Sequence, residues 1–203
     1  MIDYNKLKLN KKGQVTLKSL MDFLLYCSSE ERWNAFWEIT HDELAQDYPM
    51  SWKTFYKGLQ FAYGSGKALH SEASAMFNEI DDFTEYATIK EVKWLNRQLD
   101  NHGKITVYRG CTTGEIDNEN IGTSWTTDLG IAEFFAYRFK DKIIEAGHQP
   151  CVIKTNVYWS DIKGVLLDRN EDEVVMPDVF ADEVEIISTE PTEAYEKYME
   201  KKR

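Results

Sequence analysis

A pair of glutamates separated by one residue could do chemistry in the C-terminal part of the chain. Glu171 and Glu173 flank Asp172, directly before the apolar residues Val174 and Val175. In an extended strand alternate side chains point to the same face, so the two glutamates would share a face and Asp172 would take the other. Carboxylates on one face repel each other. Such a pair indicates a bound partner, a metal ion or a catalytic role.

Metal, phosphate-loop and histidine chemistry lack the spacing that they need. Asp168, Asn170 and Asp172 match the start of a calcium loop, but Glu173 stands where that loop requires glycine. "GSGK" at 64–67 lacks the first glycine and the final Ser or Thr of a phosphate loop. The four histidines are scattered, and no two stand at metal-ligand spacing. We therefore expect no metal site.

Two further stretches carry polar residues at strand ends. "VYRG" closes a strand with Arg109 and Gly110, and "SWT" places Ser124 and Thr126 ahead of the helical pattern "AEFFAYR". Each stretch alone has an ordinary explanation: an exposed arginine before a turn, hydroxyls near a helix cap, and solvated acids. Their order along the chain, with the glutamate pair last, favours a shared site.

These motifs together resemble the mono-ADP-ribosyltransferases of the arginine, serine, glutamate class, which includes cholera-like, clostridial binary-toxin-like and small phage-encoded enzymes. In that family an arginine closes the first core strand, a Ser-x-Ser/Thr element leads into a helix, and Glu-x-Glu begins a later strand. The matching residues are Arg109, 124–126 and 171–173. The resemblance covers roughly the second half of the chain. Trp125 replaces the commoner small middle residue, so Ser124 and Thr126 both remain candidates for the motif serine.

The resemblance implies a reaction and places Glu173 at its centre. NAD would be a substrate, cleaved at its nicotinamide bond through a transition state like an oxocarbenium ion, with ADP-ribose passing to an acceptor. Glu173 would hold the ribose and stabilise the positive charge, whereas Glu171 would orient or deprotonate the acceptor. The nicotinamide pocket would be lined by Phe134 or Phe135.

The resemblance also implies four supporting residues in an NAD-binding site. Arg109 would contact the diphosphate or brace the ribose pocket, because a guanidinium suits phosphate oxygens. Gly110 would let the main chain approach the nicotinamide amide. Ser124 would hydrogen-bond Glu173 and fix its rotamer, with Thr126 as the alternative.

The acceptor implied by Glu171 is a protein arginine, since glutamate at that position accompanies arginine specificity in the family. A nucleic-acid acceptor, or plain hydrolysis of NAD, is the close alternative. A hypothesis of another class is an acidic, non-enzymatic interaction or inhibitor protein with a basic partner. Its basis is the net charge of −11, which also opposes non-specific binding to phosphate backbones.

The elements that must position these residues change in type near residue 100. Apolar residues recur at helical spacing before it, in five groups: Leu17, Leu20, Met21, Leu24 and Leu25; Trp33, Phe36 and Trp37; Trp52, Phe55, Tyr56, Leu59 and Tyr63; Ala73, Met76, Phe77 and Ile80; Ile89, Val92, Leu95 and Leu99. Short strands with period-two alternation follow, interrupted by one helix that carries Phe134 and Phe135, and a short terminal helix closes the chain. The fold class expected is α+β.

We expect one continuous domain in which the helical region 1–100 packs on a β-rich catalytic core, 101–203. The resemblance implies that this core is split into two small, mostly antiparallel sheets. The 203 residues, 42% hydrophobic, allow a sizeable core, and three dispersed cysteines favour a reducing compartment. Without a signal peptide or a membrane segment, we expect a cytoplasmic protein with no membrane partner, which a phage or a dedicated secretion system could deliver. The sequence leaves the oligomeric state open.

Overall fold

The computed structural model describes residues 2–41, 43–66, 68–167 and 172–202, and it has the expected α+β composition. The chain divides into two compact units, Met1–Tyr86 and Ala87–Arg203. The helix that begins at Ile89, which the sequence analysis grouped with the first hundred residues, therefore belongs to the second unit. No helix in the described ranges combines the length and the apolar character needed to cross a membrane.

The first unit is helical. Its helices are α1, Leu17–Tyr26; α2, Arg32–His41; α3, Trp52–Ser65; and α4, His70–Asn78. Hydroxyl groups define two of the starts, because Thr16 accepts from Ser19 N at α1 and Ser51 accepts from Thr54 N at α3. The predicted helices are thus present, separated by short connections.

The buried face of α1 differs from the predicted stripe. Leu20 and Leu24 are buried as expected, but Leu25 is 59% exposed and Phe23 is buried in its place. The reason is packing: Gly58 of α3 lies so close to Leu20 that an added Cβ would stand 2.5 Å from Leu20 Cδ2. Phe23 packs against Tyr4, with the ring centroids 5.8 Å apart. The α4 group, Ala73, Met76, Phe77 and Ile80, is buried throughout, as predicted.

The second unit alternates strands and helices. Its helices are α5, Ile89–Gln98; α6, Thr113–Asp117; α7, Leu129–Tyr137; α8, Lys140–Glu145; and α9, Glu193–Lys202. Its strands are β1, Lys104–Thr112; β2, Ser124–Thr126; β3, Pro150–Tyr158; β4, Gly164–Leu166; β5, Glu173–Val175; and β6, Glu185–Ser188.

The six strands form one antiparallel sheet in the order β4-β5-β2-β1-β3-β6, and not the two sheets expected. The groups β4-β5-β2 and β1-β3-β6 are continuous because β1 pairs with β2. That join is a single residue pair, Tyr108 with Thr126, whereas β1 and β3 pair over nine positions from Lys104 to Thr112. The sheet is therefore narrowest between its two groups of strands.

Helix α7 lies against β1 and carries the C-terminal helix α9 on its other side. A Cβ on Gly110 of β1 would stand 2.1 Å from the Ala132 carbonyl oxygen of α7. Gly130 of α7 likewise allows Ala194 and Tyr198 of α9 to approach closely. These two glycines therefore set the spacing between β1, α7 and α9. The short terminal helix that the sequence predicts is present and packed.

Candidate active site

Ser124 and Glu173 come together because their strands are neighbours in the sheet. Thr126 lies directly opposite Glu173 across the β2–β5 ladder, and Ser124 is two residues from Thr126, so all three share one face. Ser124 Oγ donates to Glu173 Oε1 at 2.6 Å. Glu173 is only 6% exposed. Thr126 Oγ1 accepts from Asp128 N at 3.1 Å ahead of α7.

The backbone at Asp172 contradicts the strand alternation assumed for the glutamate pair. Asp172 has a φ of 46°, in the left-handed region, and β5 begins only at Glu173. Alternation between faces requires an extended backbone, so it cannot be continued through Asp172 to Glu171. Glu171 itself lies outside the described residues.

Arg109 crosses from β1 to β2 just beyond the single pair that joins these strands. Its Nη1 donates to the Ser124 carbonyl oxygen at 2.8 Å, so a side-chain hydrogen bond continues the connection where the ladder stops. Gly122 makes room for the guanidinium, because a Cβ there would stand 2.2 Å from Nη2. The buried Nε has no hydrogen-bond partner within the described ranges.

Glu115 is a site residue that the sequence analysis missed. Arg109 Nη2 donates to Glu115 Oε2 at 2.8 Å, and the side chains are 18% and 30% exposed. Glu115 is also the third residue of α6, where it forms a capping box with Thr112. The pattern Thr-x-x-Glu at 112–115 is a sequence signal for such a box and could have located it.

A cavity of about 360 Å³ lies beside these residues. It is lined by Arg109, Gly110, Glu115, Ser124, Trp125, Thr126, Phe135, Arg138 and Glu173, among others. Of the predicted NAD-contacting residues, all but Phe134 are in this lining. Phe134 instead packs against Tyr198 of α9, with ring centroids 5.5 Å apart.

Phe135 and Arg138 form the aromatic and cationic side of the cavity. The Arg138 guanidinium carbon lies 4.4 Å from the centroid of the Phe135 ring. Arg138 is exposed and has no ion-pair partner in the described part of the chain. Residues three apart on a helix share a face, so the spacing of Phe135 and Arg138 was a readable signal that the sequence analysis did not use.

The cysteine in the cavity lining is held as a neutral thiol. Cys111 of β1 faces Cys151 of β3, and their Sγ atoms are 3.6 Å apart. The hydrogen bond between Cys111 and Cys151, together with burial, raises the pKa of Cys111. A protonated thiol is a poor nucleophile, so the carboxylates and the arginines carry the reactive character of this cavity. No three His, Cys, Asp or Glu side chains among the described residues are grouped so that they could hold a metal ion.

No protein-family model, curated protein or solved structure matches this chain. The geometry therefore carries the functional assignment: a buried carboxylate fixed by a hydroxyl, a paired arginine beside it, and an open arginine stacked on an aromatic ring.

Proposed function

We propose that the protein is a mono-ADP-ribosyltransferase that uses NAD as its substrate and transfers ADP-ribose to a protein arginine. The observation that carries this function is the 2.6 Å hydrogen bond from Ser124 to Glu173 in a cavity that Arg109 also lines. These residues come from three separated stretches of sequence, and the resemblance to the transferases rests on the same three.

The proposed reaction breaks the bond between the ribose C1′ atom and the nicotinamide nitrogen. The bonding electrons leave with nicotinamide, which becomes neutral, and positive charge develops on the ribose. Glu173 would stabilise that charge, because a fixed, buried carboxylate interacts more strongly with a transition-state cation than a solvated one does. The acceptor nitrogen then bonds to C1′ and loses a proton.

The lining of the cavity supports a dinucleotide as the substrate. Its volume of about 360 Å³ is in the range typical of small-molecule sites. Phe135 offers an aromatic surface to the nicotinamide ring, and the exposed Arg138 offers an uncompensated cation to the diphosphate.

The choice of arginine as acceptor rests on Glu171, through the resemblance, and on net charge. A chain with a charge of −11 favours a basic partner surface over a phosphate backbone. Hydrolysis of NAD uses the same bond cleavage with water as acceptor. A nucleic-acid acceptor is the remaining alternative of this kind.

Labelled NAD and a cell extract test the function directly. The wild type should label a protein, and Glu173→Gln should not, although glutamine keeps an oxygen that Ser124 can bond. Asp172→Asn is the matched control, because asparagine tolerates the positive φ at this position and should retain activity. Glu171→Gln should lose transfer while retaining some hydrolysis. Equal labelling by the wild type and Glu173→Gln would exclude the transferase.

Two further readouts separate the alternatives. Protease sensitivity of the label indicates a protein acceptor, whereas nuclease sensitivity indicates a nucleic acid. For the acidic interaction protein, whose basis is the −11 charge, NAD should not raise the melting temperature at all. A ligand that binds only the folded state must raise it.

A further inference from the structure

The contacts of Arg109 differ from those of a residue that binds phosphate. Its Nη1 is bonded to the Ser124 main chain and its Nη2 to the Glu115 carboxylate. The ion pair is largely buried, and Glu115 neutralises the guanidinium. A diphosphate gains most from a cation whose charge is uncompensated, and in this cavity that cation is Arg138. Arg109 is therefore better suited to brace the Ser124 main chain than to bind a diphosphate.

We infer that Glu115 is a positioning residue: it holds the Arg109 guanidinium on the Ser124 main chain, and so keeps the Ser124 hydroxyl on Glu173. This inference rests on the proposed transferase function. Each link is a hydrogen bond in the structure: from Arg109 Nη2 to Glu115 Oε2, from Arg109 Nη1 to the Ser124 carbonyl oxygen, and from Ser124 Oγ to Glu173.

The local structure makes Glu115 suited to hold a fixed position. Thr112 Oγ1 accepts from Glu115 N at 3.2 Å, and Glu115 Oε1 accepts from Thr112 N at 3.3 Å. One carboxylate oxygen is thus tied to the start of α6, and the other is free to take Arg109. Because Gly122 leaves no side chain in the way, the guanidinium can reach both of its acceptors.

Pairing with Glu115 has a second consequence for the reaction. An arginine released beside Glu173 would be attracted to that carboxylate and would cancel the negative charge that a cationic transition state requires. By compensating Arg109, Glu115 keeps the guanidinium from adding its positive charge at Glu173. The effect of Glu115 should therefore be seen in the turnover of NAD rather than in its binding.

The test compares Glu115→Gln with Glu91→Gln in the full chain. Glutamine is accepted in a capping box, so Glu115→Gln keeps that role and loses the ion pair. Glu91 forms the same type of box with Thr88 at α5, so Glu91→Gln makes the same change in a capping box that does not line the cavity. We expect Glu115→Gln to lower kcat for nicotinamide release about 10- to 100-fold with KM for NAD within about threefold, which is the signature of an interaction used in the transition state. Glu91→Gln should leave both constants within about twofold of the wild type.

The outcomes are distinct. If Glu115→Gln matches Glu91→Gln in kcat, or if its KM alone rises, then Glu115 does not act through the transition state and the inference is overturned. A wild type that neither binds nor cleaves NAD would overturn the proposed function instead.

NMR of the Arg109 guanidinium tests the positioning role of Glu115 without NAD. The guanidinium nitrogens of Arg109, identified by their loss in Arg109→Lys, should give separate NMR signals in the wild type because two hydrogen bonds prevent rotation. The signals should merge in Glu115→Gln. Averaged signals of Arg109 in the wild type would overturn the inference even if Glu115→Gln could not be purified.

Discussion

Replacing Ser124 with alanine removes the hydroxyl that donates to Glu173 and changes little else. The bond is short, at 2.6 Å, and its acceptor is a carboxylate that is only 6% exposed. A hydrogen bond to a charged group contributes about 1.5–3 kcal/mol. If the bond is fully used in the transition state, its loss should reduce kcat/KM for NAD cleavage roughly 10- to 160-fold, since 1.36 kcal/mol corresponds to a factor of ten.

The assay is the rate of nicotinamide release from NAD, measured for the wild type, Ser124→Ala and Ser160→Ala. Ser160 is an exposed serine of the same unit, so its variant makes the same chemical change away from the cavity and should keep the wild-type rate. Melting temperatures establish that both variants are folded. A folded Ser124→Ala that cleaves NAD within about twofold of the wild-type rate would refute the claim that this hydroxyl orients a catalytic carboxylate.

Three further predictions follow from other contacts. Arg138→Gln should raise KM for NAD about tenfold or more with kcat little changed, because an uncompensated cation is lost; an unchanged KM in steady-state kinetics would contradict this. Gly110→Ala should lower the free energy of unfolding by about 1–3 kcal/mol, since the added Cβ would stand 2.1 Å from the Ala132 carbonyl oxygen; calorimetry showing no loss would mean that α7 moves freely. The contribution of Cys111 to the free energy of unfolding should be constant below about pH 9 and fall above it, because the unfolded thiol ionises near its ordinary pKa of 9.0 while the folded thiol has a raised pKa. Urea titrations at two pH values check this, and Cys111→Ala should reduce the decline; an equal decline in that variant would refute the assignment.

The sequence was most informative where one residue period dominates. Alternation located β1, and the apolar repeat located α7 and the buried group of α4. It was less informative where the same helical spacing allows two different buried faces. Leu20 and Leu24 belong both to the predicted face of α1 and to the observed one, but Phe23 is buried in place of Leu25, with its ring packed against Tyr4. Such a contact joins residues far apart in the chain, so no local pattern contains it.

The residues of the candidate site were likewise predicted only in part. Arg109, Ser124 and Glu173 were predicted as a set, because each stands at the end of a recognisable strand or motif. Glu115 was missed because the pattern Thr-x-x-Glu at 112–115 indicates the start of a helix, whereas the contact of Glu115 with Arg109 is not encoded by any local spacing. The assumption of continuous extended backbone at Asp172 was wrong, since a single left-handed residue is not encoded by hydrophobic alternation.

The two arginines of the cavity differ in how much of their charge remains available. Arg109 is 18% exposed and paired with Glu115, whereas Arg138 is exposed, stacked on Phe135 and located at the C-terminal end of α7. A chain with a net charge of −11 repels a dinucleotide at long range, so a local cation has to provide the attraction. The proposed NAD binding thus needs Arg138 without an ion-pair partner and Arg109 paired with Glu115. An unpaired Arg109 would compete with the ribose cation for Glu173. The lining of the cavity thus includes a buried carboxylate, Glu173, and an exposed guanidinium, Arg138, which are the two charges that a cationic ribose joined to a diphosphate requires.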